Sequence, residues 1–130
     1  MPFFTYRQNN SGGQWDFDAK AGISHLVIVE ADDAKHADYL AECIGLYFDG
    51  SGDCPCCGYR WNSQWHDEEG TDVPMSYSFE IGPDKPYKST LLWMAPNPEA
   101  FIHYKDKSIV PVMGEKISYE EERAMWDAKK

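Results

Sequence analysis

The most β-branched apolar run in the chain is Leu26-Val27-Ile28-Val29, set between Gly22 and the acidic Glu30, Asp32 and Asp33. A short β-branched run bounded in this way predicts a buried strand over 24–30. The rhythm then changes. Ala34, Ala37, Leu40, Ala41 and Ile44 recur at helical spacing and predict one main helix over about 32–44. Asp32 or Asp33 supplies the N-cap, where a carboxylate accepts from free amides and meets the positive end of the dipole. Gly45 supplies the stop. Leu46 to Asp49 follows as a short strand, so the pattern predicts strand, helix, strand with tight joints.

Elsewhere the period is two. Phe3 to Arg7 has strand composition, and Trp15 to Asp18 pairs back on it across the turn cluster Asn9 to Gly13. Tyr59, Trp61 and Trp65 alternate with Arg60, Asn62, Gln64 and His66, and Met75, Tyr77, Phe79 and Ile81 alternate with Ser76, Ser78 and Glu80. Both predict half-buried strands. Thr90 to Met94 reads as another strand. Phe101–Tyr104 and Ile109–Met113 form a hairpin whose second arm is an edge, because Pro111 lacks a donor. Ser118 and Glu121 make a capping box for a short C-terminal helix over about 119–128. These elements predict one α+β domain over 1–130, a mostly antiparallel sheet with two helices.

Composition narrows the function more than the fold. Asp and Glu number 22 against 12 Lys and Arg, a formal charge of −10, and the pI is about 4.7. Direct nucleic-acid binding and attachment to anionic membranes are disfavoured without a basic footprint. No apolar run approaches the roughly 20 residues of a membrane span. The start Met1 to Arg7 is not a secretory signal, which predicts a cytoplasmic protein. Thiols stay reduced there, so the four Cys read as core, metal or redox groups.

Asp53-Cys54-Pro55-Cys56-Cys57-Gly58 is the sharpest chemical motif. Cys54 and Cys57 have knuckle spacing, and a glycine after the pair permits the tight turn. A helix rising about 1.5 Å per residue puts His36 roughly 13 Å from Gly45. A four-residue strand returns over that distance. Cys54, Cys57, His66 and His36 are therefore the expected zinc set. Two alternatives stand beside it: a redox pair, disfavoured because an aromatic segment and not a helix follows, and a loop of small buried thiols. Catalytic signatures are missing. The chain has no Walker, Rossmann or nucleophile-elbow pattern, and His25 and His103 fall inside predicted strands. The expectation is no enzyme.

Four segments carry a family resemblance: Phe3 to Gly13, His25 to Ala34, Ile44 to Gly50, and Asp53 to Gly58. In this order they resemble a family of small proteins of tailed bacteriophages, over about the first half of the chain. Cys54 to Tyr59 also looks like the start of cysteine-rich CPCC domains, although this chain lacks their second cysteine pair. The phage resemblance implies an accessory protein in the cytoplasm of an infected host. Its expected role is to counter host defence, by sequestering a small nucleotide signal or by blocking a host protein.

The aromatic surplus of five Trp, eight Tyr and six Phe suits such binding. Tyr59, Trp61 and Trp65 are candidates to stack a base, and Arg7 and Arg60 to meet a phosphate. An oligomer would gather scattered cations around one pocket. The alternatives are a zinc-knuckle structural or adaptor module, and an acidic decoy of a nucleic-acid-binding host protein.

Overall fold

The structure is a computed structural model and describes residues 2–9, 15–50 and 58–129. Leu26 to Val29 are all buried, so their strand must be covered on both faces and both edges. That strand, β2 (Leu26–Glu30), lies between β1 (Phe3–Arg7), antiparallel, and β6 (Ala100–His103), parallel. With β7 (Ile109–Val112) the sheet order is β1-β2-β6-β7. Two small pairs complete the strands: β3 (Met75–Ser76) with β4 (Phe79–Glu80), and β5 (Tyr87–Ser89) with β8 (Gly114–Lys116). Three of these five pairings are antiparallel. The fold is α+β, a mostly antiparallel sheet with one main helix, α1 (Ala34–Ile44), and a short C-terminal helix, α2 (Tyr119–Asp127). No described helix is long and apolar enough to cross a membrane.

Alternation on the strands makes two cores. Phe4, Tyr6, Val27 and Val29 face α1, which lays Ala34, Ala37 and Ala41 on them. Phe3, Leu26, Ile28, Ala100, Ile102 and Val112 face the other way and are closed by Ile81. The predicted helix ends hold. Asp33 caps α1 by accepting from the amide of His36 at 2.8 Å. Gly45 ends it at φ +129, and the Leu46 amide turns back to the carbonyl of Ala41. The hairpin of β6 and β7 also forms as expected, with β7 at the free edge. The carbonyls of Ser108 and Val112 bond toward β6's chain, to Tyr104 and Glu99. Pro111, in the opposite phase, therefore directs its donor-free nitrogen outward.

Four expected strands are absent. Leu46 to Asp49 is irregular, because β1's outer edge is already occupied. Phe3 exchanges two bonds with Thr71, the Gln64 side-chain Nε2 donates to the carbonyl of Thr5, and the Asn9 backbone amide donates to the carbonyl of Arg60. Leu46 and Phe48 pack on the first core instead, Phe48 stacking on Tyr6 at 5.7 Å. Residues 59–66 run past that edge without strand pairing, so Arg60 and Trp61 are both buried while Tyr59 and Trp65 are exposed. Trp15 to Asp18 meets β1 through a side chain: the Gln8 amide group bonds both the N–H and the carbonyl of Asp16. Thr90 to Met94 curls, because the Glu99 carboxylate accepts from the amides of Trp93 and Met94. The strand in this region comes earlier, as β5. Met75 to Ile81 is broken in two by a turn at Tyr77–Ser78.

The capping box of α2 is complete. Ser118 accepts from the Glu121 amide at 3.1 Å, and the Glu121 carboxylate accepts from the Ser118 amide at 3.2 Å. No residue of α2 is fully buried, so the cap carries an unusual share of its stability. Ser118→Ala is expected to cost about 1 kcal/mol. Hydrogen exchange should speed up in α2 first, with the sheet amides unchanged.

Candidate functional site

Residues 75–89 form one side of a groove, and α2 forms the other. The hairpin of β3 and β4 is fastened to the sheet by β1. Thr5 Oγ1 donates to the carbonyl of Met75 at 2.7 Å, and Arg7 Nη2 donates to Ser76 Oγ at 2.7 Å. A tight turn follows, closed by reciprocal bonds between Gly82 and Lys85, and β5 returns along the floor. Glu122, Met125 and Trp126 of α2 point inward, the one stripe that helical spacing allows, and Lys129 joins them just past the helix end. The space enclosed is about 470 Å³, within the range of small-molecule sites.

The groove is lined by rings and cations. Trp126 meets Phe79 edge-on at 4.7 Å and Tyr77 at 6.3 Å. Lys129 lies 5.4 Å from the Phe79 ring, and the Arg7 guanidinium sits 4.0 Å over the ring of Tyr77. Lys85, Lys88 and Lys129 stand against Glu80, Asp84 and Glu122, a balance of three to three in a chain of 12 against 22. Lys85 pairs with Glu80 at 3.0 Å, and Glu122 accepts from the Thr90 amide at 3.3 Å. The groove is thus less acidic than the rest of the surface.

Tyr77 is, with Lys107, one of two non-glycine residues at positive φ among the described residues, and the one that carries a ring. It is 68% exposed and sits at φ +56. A side chain with a Cβ is strained there by about 1–2 kcal/mol, and glycine is the cheap choice. The turn nevertheless carries an aromatic ring, held over the groove mouth.

The sequence-predicted ligand residues are not gathered at one place. Arg7 reaches the hairpin beside the groove. Arg60 lies on the opposite face of the sheet, buried among Gln8 Oε1 (3.2 Å), Tyr47 Oη (3.1 Å) and Asp16 (3.4 Å). The first core holds Trp61 at 1% exposure, whereas Trp65 is 79% exposed. The Asn9 side chain donates to the carbonyl of Tyr59. Among the predicted metal ligands, Cys54 and Cys57 lie outside the described residues. The described residues that follow them, Gly58–Tyr59, are pinned to Asn9, beyond the Arg7 end of β1. His36 follows Glu30, which pairs with Phe3 at the other end, roughly 13 Å along the strand at about 3.3 Å per residue. His66 is exposed and comes after Gln64, which has already reached Thr5. The predicted return of Leu46 to Asp49 toward His36 does not occur. Among the described residues no group of three or more metal-ligating side chains forms.

Tyr77, Phe79, Trp126 and Lys88 were not predicted. One signal for them is in the sequence: after Tyr119, α2 reads Glu, Glu, Glu, Arg, Ala before Met125 and Trp126, two large apolar side chains in an otherwise charged helix.

A family model described as Domain of unknown function (DUF7296) matches residues 1–119. The groove floor lies inside that span, and the α2 wall from Glu120 onward lies outside it. No curated protein and no solved structure matches the chain.

Proposed function

This chain belongs to the DUF7296 family, a domain family of unknown function, and we propose that it is a binding protein that holds a small nucleotide in the groove beneath α2. The observation that carries this reading is Tyr77, an exposed ring kept at a backbone conformation that disfavours it. A base stacks on Tyr77 or Trp126, and its phosphates meet Lys85, Lys88 and Lys129. No step of this role is catalytic. The phage resemblance supplies the context, capture of a host defence signal in an infected cell.

Isothermal titration with cyclic dinucleotides and ADP-ribose derivatives tests the reading. At least one is expected to bind saturably, and Trp126→Ala is expected to weaken it about tenfold or more, the worth of one stacked base. Tyr77→Gly separates function from stability. It relieves strain, so the thermal midpoint should hold or rise while affinity falls. No heat with any member of the panel, or equal affinity in both variants, overturns the reading.

A zinc ion held by Cys54 and Cys57 is a separate proposal. Its support is Gly58, which sits at φ +84, as the glycine after a knuckle pair would. Metal analysis of the purified chain decides it: stoichiometric zinc supports the site, and background zinc removes it.

A further inference from the structure

We propose a second ligand site, for an apolar carboxylate, in the cleft between α1 and the hairpin of β6 and β7. It lies on the opposite face of the sheet from the groove and is independent of it. The cleft exists because α1 covers only β1 and β2. In the parallel register Val29 stands beside His103, and His103 pairs across the hairpin with Ile109. These two residues continue the face past the helix, and no helix lies over them among the described residues. The space is about 460 Å³.

Its walls are apolar and its rim is basic. Val29, Leu40, Ile44 and Ile109 supply the apolar surface, and Lys105 and Lys107 come from the hairpin turn. The lining carboxylate, Glu30, is partly occupied: its Oε1 accepts from the Lys105 amide at 2.8 Å. In a chain of charge −10, two lysines facing an apolar hollow select an anion with an apolar body.

Two histidines add direction. His36 Nδ1 is engaged by Asp32, 3.1 Å from its amide and 3.5 Å from its carboxylate, which leaves Nε2 as the free ring nitrogen. His103 Nε2 lies 2.8 Å from the carbonyl of Gly22. A carbonyl only accepts, so this nitrogen carries the proton and Nδ1 is left as an acceptor. Burial pushes the His103 ring below its ordinary value, which keeps it neutral near pH 7. Gly22, at φ +78, packs against His103 and Ile109 without lining the cleft itself. A Cβ there would fall 2.7 Å from the His103 ring and 2.8 Å from Ile109.

The test uses 1-naphthoate and its neutral counterpart 1-naphthamide, followed by amide NMR shifts on the full chain. Naphthoate is expected to saturate, moving Ile44, Lys105 and Lys107 while leaving the amides of α2 unmoved. Naphthamide should bind about tenfold more weakly. The double variant Lys105→Ala/Lys107→Ala should lower naphthoate affinity by a similar factor at an unchanged thermal midpoint, since both side chains are exposed. Ile109→Glu should abolish it by placing a carboxylate at the mouth. No saturable shift, equal affinity for acid and amide, or an unaltered double variant overturns the proposal. Shifts confined to the α2 groove overturn it as well.

Discussion

Trp61→Ala is expected to lower unfolding stability by about 3–5 kcal/mol, the range for truncating a large buried aromatic. Marginal stabilities of about 5–15 kcal/mol make that a large share of the total. The physical reason is the first core. Trp61 packs there with Phe4, Tyr6, Leu46 and the alanines of α1, and small helix residues cannot expand to fill the space it leaves. Trp65→Ala, at an exposed position, should change stability by less than about 0.5 kcal/mol. Urea denaturation of the two variants checks both values. A Trp61→Ala variant of near-native stability would return this ring to the list of stacking candidates.

Glu99→Ala is expected to cost roughly 3 kcal/mol, because a fully buried carboxylate is the partner of three groups. It accepts from the Trp93 amide at 3.1 Å and from the Met94 amide at 2.5 Å, and His25 Nδ1 stands 3.4 Å away. His25 is itself boxed edge-on by Trp15 and Tyr87. Burial alone would push the Glu99 carboxyl up. The nearby His25 ring and the bonds from the Met94 and Trp93 amides outweigh it and hold the group below its ordinary value of 4.5. A depressed carboxyl stabilises the fold above its unfolded value and loses that contribution as pH falls through the folded one. The thermal midpoint should therefore drop below about pH 4.5. Glu99→Gln keeps one acceptor and cannot titrate, so it should start lower and drop less. An identical acid slope in wild type and Glu99→Gln would show that other carboxylates govern acid unfolding.

The elements that the sequence shows plainly are those with their own local signals. β2 has its apolar run, α1 has Asp33 and Gly45, α2 has its capping box, and the last hairpin has Pro111 on the outer edge. The misread segments depend on partners distant in the chain. Period two in Tyr59 to Trp65 looks like a strand, yet β1 meets this segment only through the Gln64 side chain, and Asn9 beyond β1 bonds Arg60 and Tyr59. Thr90 to Met94 has strand composition, but Glu99 draws its amides into a curl. The groove was illegible for a related reason. No propensity rule puts a tyrosine at positive φ, and Arg7 reaches Tyr77 across 70 positions of sequence. Trp126 meets Phe79 of the same hairpin across 47 positions.

The groove beneath α2 is tested most directly by the aromatic NMR signals of the chain during titration with a cyclic dinucleotide that gives heat in calorimetry. Tyr77, Phe79 and Trp126 should shift together and saturate at one concentration, while Trp61 and Trp65 stay in place. Shifts at Tyr59 and Trp65 with an unmoved Trp126 would contradict the account.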